Sequence, residues 1–319
     1  MSNFFRKYGK MILAVIIVVA IVLSRTVFKD FTNSLFYKPS PEMSVVRDKL
    51  ELTSQAGIIF NASYPVLENR DVFSMHCRND DQDVSILGCY TDDKIYVFEV
   101  DEDELDGIVE STSAHEFLHA VWDRMPSSER EQIEPLLNHV YNEHKAELSE
   151  TIESYTESDR LDELHARIGT QIANLPTELE EHYARFFNDQ DNIVKYYDNY
   201  SAPFKKLKAE LDSLEAELTR IYDQITADTK TYETRIAELN TRIEKFNNCA
   251  NTPGCFTKSA FNSQRSALIT EQNQLETLYN TIDANVMLYN QHVEEYNENL
   301  LHSNNLQNAI NSNKAVPNI

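Results

Sequence analysis

Glycine and proline are scarce in this chain, with 6 and 9 among its 319 residues. A sandwich or barrel needs many tight turns, so this scarcity excludes a turn-rich all-β fold. Positive charge is short as well: 29 Lys and Arg stand against 52 Asp and Glu, a formal net charge of -23. Such a surface repels phosphates, which excludes nucleic acid as an expected partner. No cysteine pair has CxxC spacing. The four cysteines fall instead in two close pairs, Cys77 with Cys89 and Cys249 with Cys255. Local pairs of this kind suit two disulfides and an oxidising compartment. His76 is the one histidine beside them, too few for a structural zinc knuckle. At 41% hydrophobic residues the chain has material for a core, and the expected fold class is mainly α (α+β) with a small β-sheet.

Long apolar runs are rare too, with one exception. Met11 to Leu23 is an uninterrupted run of 13 apolar residues, extended towards Phe28 if Ser24 and Arg25 sit at an interface. With Arg25 snorkelling, roughly 18 residues can span a bilayer as a transmembrane helix. Arg6, Lys7 and Lys10 precede the run and favour a cytoplasmic N-terminus. The rival is a cleaved signal peptide, but Ser24-Arg25-Thr26 lacks a small-x-small cleavage pattern. The expected localisation is therefore a single-pass membrane protein with the bulk of the chain extracytoplasmic.

Residues 1–29 are then a cytoplasmic tip and anchor, and 30–41, with Lys38-Pro39-Ser40-Pro41, a linker. A folded domain is expected over 42–203. It opens with a short helix over 42–52. Gly57-Ile58-Ile59-Phe60 and Lys94 to Val100 read as strands, being β-branched and aromatic. A Cys77–Cys89 bond between them would contribute roughly 3 kcal/mol by constraining the unfolded chain. Helices are expected over Ser111 to Arg124, from Ser128 (with Glu131 as a capping box), from Ser158, and after Pro176. Pro135 falls in the first turns of the second of these and is expected to bend it.

From Phe204 the pattern changes. Leu207, Leu211, Leu214, Leu218, Ile221 and Ile225 recur at spacings of four and three. A second seam runs from Phe261 to Leu300. The two are joined by a turn-rich stretch carrying Cys249 and Cys255, so residues 204–302 are expected to fold as an antiparallel coiled-coil hairpin stapled at its tip. Residues 303–319 are Asn-rich and are expected to form a flexible tail.

The chemistry concentrates in His115-Glu116-Phe117-Leu118-His119. Two histidines four apart on a helix project from one face and can ligate one zinc ion. Glu116 between them can take a proton from a water and pass it to a leaving amine, making it the candidate catalytic base. Ala114, Phe117, Leu118 and Val121 would bury the rest of the helix. Five downstream residues are candidates for a third ligand: His139, His144, Glu147, Glu163 and His165.

With Asp162-Glu163-Leu164-His165-Ala166, an ExxA pattern on a later helix, the sequence resembles the gluzincin class of zinc metallopeptidases over roughly residues 95–185. The resemblance implies a zincin-like domain, one Zn2+ per chain held by His115, His119 and Glu163, and Glu116 as general base for peptide-bond hydrolysis. It also implies that the strand from Ile95 to Val100 pairs with an extended substrate. A metzincin would need a third His soon after His119. An aspzincin would need Asp where Gly169-Thr170-Gln171-Ile172-Ala173 ends in Ala. Oxyanion donors would come from His182, Tyr183, Arg185 or Tyr155.

The expected partners are a peptide or protein substrate, the membrane, and a protein partner or second copy on the coiled-coil arm. Two alternatives stand beside the peptidase: a non-enzymatic surface scaffold working through the arm, and a zinc amidase acting on cell-wall cross-links.

Overall fold

The computed structural model of the chain describes residues 27–77, 85–152 and 155–313. The apolar run expected to cross a membrane lies outside them. Among the described residues no helix is long and apolar enough to cross a membrane. The described residues form two compact units. One, the body, runs up to Pro203 and resumes at Leu306; the other, the arm, is Phe204–Asn305.

The body is helical around one small sheet. Residues 27–36 form helix α1, followed by α2 (Pro41–Lys49) and α3 (Ser54–Ala62). Pro41 starts α2 with its fixed φ, and the Ser40 side chain accepts from the Met43 amide as N-cap. The linker expected over 30–41 is therefore mostly ordered helix, with only residues 37–40 between α1 and α2. The strand expected at Gly57-Ile58-Ile59-Phe60 is also corrected: the segment is helical, capped by Thr53, and buried through Ala56, Phe60 and Ala62.

Strand β1 (Val66–Glu68), helix α4 (Arg70–His76), strand β2 (Gly88–Thr91) and strand β3 (Lys94–Phe98) follow. The sheet order is β1-β3-β2, with β3 parallel to β1 (Val66 opposite Tyr96) and antiparallel to β2 (Gly88 opposite Val97). Strand β3 is thus central and β2 is an edge. Cys77, after α4, bonds to Cys89 on β2 with a Cα–Cα distance of 5.9 Å.

Helix α5 (Ile108–Arg124) lies across this sheet and is the spine of the body. Its Phe117 is fully buried and meets the rings of Phe60 and Phe187 edge-on, each at 5.8 Å. Burial of one such ring contributes roughly 2–3 kcal/mol. Helices α6 (Ser127–Glu143), α7 (Lys145–Ile152), α8 (Glu157–Gln171) and α9 (Thr177–Tyr183) complete the unit, with α8 packed along α5. Helix α6 starts one residue ahead of Ser128, after Pro126, with no side-chain cap. The expected Ser128–Glu131 box is thereby lost, and α6 runs unbroken through Pro135. A Cβ added at Gly169 would stand 2.6 Å from the Leu118 side chain and 2.5 Å from the Tyr183 ring. That missing side chain is what lets α8 approach α5 closely.

Helix α10 (Gln190–Ala250) starts within the body and continues through Pro203 into the arm, and α11 (Lys258–Ile310) ends within the body. In the arm Tyr222 meets Tyr289, Tyr232 meets Tyr279, and Phe246 meets Phe261. Positions rise on one helix as they fall on the other, so the pair is antiparallel. Arg235 and Arg242 both reach Glu271 across it, and Cys249–Cys255 closes the tip. The flexible tail expected from Ser303 is corrected as far as it is described. Helix continues to Ile310, Leu306 is buried, and the buried Ser312 hydroxyl donates to the Ile86 carbonyl at 2.6 Å.

Candidate metal centre

The α-helical period places His115 and His119 one turn apart on α5, and α8 brings Glu163 across to them. The two Nε2 atoms are 3.1 Å apart. Glu163 Oε2 lies 3.7 Å from His115 Nε2 and 3.5 Å from His119 Nε2. Ligands at about 2.0–2.1 Å from a tetrahedral ion stand roughly 3.3 Å from one another, so this triangle has the dimensions of one face of such a site. The His115, His119 and Glu163 group can hold a metal ion. Two neutral imidazoles and a carboxylate form a donor set well suited to zinc.

Neighbouring groups fix two of the three ligands. Asp162 Oδ1 accepts from His119 Nδ1 at 2.8 Å, so Nε2 is the nitrogen aimed into the triangle. Arg167 Nε donates to Glu163 Oε1 at 2.6 Å and leaves Oε2 for the histidines. Burial opposes a charge on Glu163, but the close approach of His115 and His119 and the charge of Arg167 outweigh burial and hold the carboxyl far below its ordinary range. Burial likewise opposes a charged His119. Its bonds to Asp162 and Glu163 and the charge of Glu116 override that and push it up to about 10. Surroundings that retain a proton there also favour a divalent ion in its place.

Glu116 is buried between the helix and the sheet. A Cβ added at Gly88 on β2 would stand 2.6 Å from Glu116 Cγ and 2.7 Å from its Oε1. Burial raises the pKa of Glu116, against the pull of His115 and His119. A carboxylate so placed is a stronger base than one in water. Of the four candidate oxyanion donors, Tyr155 is the one whose phenol feels the charges of Glu163 and Glu116, although it is 42% exposed. Partial burial, then the Glu163 charge, pushes its phenol up to about 12.

The other three lie elsewhere. Tyr183 is fully buried and its hydroxyl donates to the His165 carbonyl at 2.8 Å. His182 Nε2 pairs with His165 Nε2 at 3.0 Å, and Arg185 pairs with Glu129. The reason is that α9 packs its His182–Tyr183 face into the core. Among the rival third ligands, His165 is spent on that pair, while His139 and His144 pair with Glu143 and Glu147. The expected substrate-pairing strand is corrected too: both edges of β3 are occupied, and the edge strand beside Glu116 is β2.

Sequence reasoning missed Asp162, Arg167 and Gly88. Arg167 had a signal, since it follows Glu163 at the i,i+4 spacing of a helical ion pair. Asp162 adjoins the motif but carries no mark of its own, and Gly88 acquires meaning only once β2 is laid over α5. Comparison with protein-family models, with curated proteins and with solved structures gives no match to this chain.

Proposed function

We propose that this chain is a zinc-dependent peptidase, anchored to a membrane by its N-terminal apolar run, with its body on the extracytoplasmic side. The observation that carries the reading is the convergence of His115 Nε2, His119 Nε2 and Glu163 Oε2 from two helices, with the buried carboxylate of Glu116 beside them. Bound there, a zinc ion supplies Lewis acidity towards a substrate carbonyl.

The residues of the chain do the rest. Glu116 takes one proton from the attacking water as oxygen bonds to the carbonyl carbon. It gives that proton to the amine nitrogen as the C–N bond breaks, which returns the carboxylate. The phenol of Tyr155 keeps its proton at neutral pH and donates a hydrogen bond to the oxyanion. An extended substrate adds to the edge of β2 that no described strand occupies, and Gly88 of that strand lies against Glu116. The two disulfides accord with an oxidising compartment.

The test is metal analysis and a peptide-library digest of the purified chain and two variants. Wild type should carry one zinc and cleave peptides. His119→Ala should lose both properties, and Glu116→Gln should keep the metal and lose turnover. Cleavage by Glu116→Gln at the wild-type rate removes Glu116 from the base role. Absence of metal from the wild type removes the peptidase reading.

A further inference from the structure

Helix α1 is built inside out. Two of its polar residues, Asp30 and Ser34, face the body. Asp30 is buried and forms a two-point ion pair with Arg124, Nε to Oδ2 at 3.0 Å and the second guanidinium nitrogen to Oδ1 at 3.2 Å. Ser34 accepts from the Asn61 side chain, and the Tyr37 hydroxyl, just past the helix, donates to the Pro65 carbonyl. Its apolar residues face outward: Phe28 is 71% exposed, Phe31 49%, Leu35 67% and Phe36 76%. At about 100° per residue, positions 28, 31 and 35 form one stripe opposite Asp30. A helix facing water has the reverse arrangement, and four adjacent large apolar side chains form a patch that calls for an apolar neighbour.

The chain itself indicates which neighbour. Phe28 lies five residues after the end of the apolar run Met11 to Leu23. A stripe of phenylalanine and leucine beside such a run is suited to the boundary between lipid headgroups and acyl chains, where aromatic side chains are favoured. We infer that α1 is an interfacial helix that immerses Phe28, Phe31, Leu35 and Phe36 in the bilayer surface while Asp30 clamps its other face to Arg124. This rests on the anchor proposed above. It adds a consequence for the substrate. Arg124 ends α5, and His119 lies only about 8 Å back along that helix. The clamp therefore holds the metal centre close to the bilayer, and the substrates it suits are polypeptide segments lying near a membrane surface.

The chain has one tryptophan, Trp122, which is buried, so an added indole on α1 can be followed against a constant background. The full chain and the variants Phe31→Trp and Phe28→Trp are reconstituted in phosphatidylcholine–phosphatidylglycerol vesicles, with ordinary or brominated acyl chains. Alkaline extraction reports the anchor separately. The inference expects both added indoles to emit in the blue and to lose about twofold in intensity in brominated lipid, the contact expected of side chains immersed in the interface. Unchanged emission from a chain that resists extraction overturns the inference and leaves the anchor standing. A blue-shifted indole untouched by bromine, in a chain that cross-links to a second copy, overturns it in favour of a dimer contact. A chain released by alkaline extraction overturns both the anchor and the inference.

Discussion

Arg167 holds one oxygen of Glu163 at 2.6 Å while the other oxygen faces His115 and His119. Two opposed effects follow from this contact. The guanidinium repels a bound cation, and it also fixes the carboxylate in a one-oxygen pose. The Arg167 side chain is one-fifth exposed, so solvent weakens the repulsion, whereas the orienting bond is short and local. Orientation should win. Arg167→Met is expected to weaken zinc binding roughly 10- to 100-fold, measured by competition against a fluorescent chelator. Tighter binding in the variant would show that charge dominates.

Gly88 separates the role of Glu116 from that of the metal. A methyl group at position 88 would enter the space of Glu116 Cγ and Oε1, both within 2.7 Å. The three atoms nearest to that methyl group belong to Glu116 and Thr112 and to none of the three ligands, so zinc stoichiometry should be unchanged in Gly88→Ala. On the proposed reading Glu116 is the base, and displacing it by about 1 Å is expected to lower turnover on the order of 100-fold. Steady-state kinetics together with metal analysis check this, and normal turnover with normal zinc would mean that β2 does not position Glu116.

These positions mark where sequence reasoning succeeds and where it stops. His115 and His119 are legible because a helix repeats every 3.6 residues, and Glu163 because its ExxA pattern points to it. The arm is legible from Leu207 onward because a two-helix coil imposes a strict repeat. The segment Gly57 to Phe60 misleads because a short apolar run has no period of its own. Its helical state is set by the Thr53 cap and by packing of Phe60 on Phe117. The central position of β3 is a fact of strand order, which no local pattern encodes. His182 and Tyr183 look like donors in sequence and turn out to be core because α9 rolls them inward.

His182 gives a pH dependence. Burial, then the charge of Arg185, lowers its pKa to about 4, with Glu129 pulling the other way at 3.7 Å and His165 paired to its Nε2. The folded pKa is below the unfolded value of about 6.5, so the unfolded chain binds the proton more readily. Stability is then full above about pH 6.5 and falls as the pH drops towards about 4. The contribution of this one group is of the order of 3 kcal/mol. Urea unfolding at several pH values should show the loss, and His182→Phe should flatten the curve in that window. An unchanged slope would place the acid sensitivity in other groups.

The Asp30–Arg124 pair separates the energetics of the clamp from its function. Both side chains are nearly buried, at 10% and 12% exposure, and Arg124 also donates to the Tyr90 hydroxyl and the Ala120 carbonyl. Removing one partner of such a pair strands the other charge, at a cost of about 3–5 kcal/mol. Asp30→Ala should therefore destabilise the body strongly in urea. Replacing both partners by apolar residues of similar size removes the stranded charge, so Asp30→Leu with Arg124→Met should recover most of that loss. The Tyr90 hydroxyl keeps Asp93 and Asp123 within 3.4 Å as alternative partners, so it is not orphaned by the change. If the double variant is no more stable than Asp30→Ala alone, Asp30 acts through something other than its charge on Arg124. A double variant that recovers stability while the α1 indoles lose their contact with lipid would show that the ion pair serves to orient α1 more than to hold the fold.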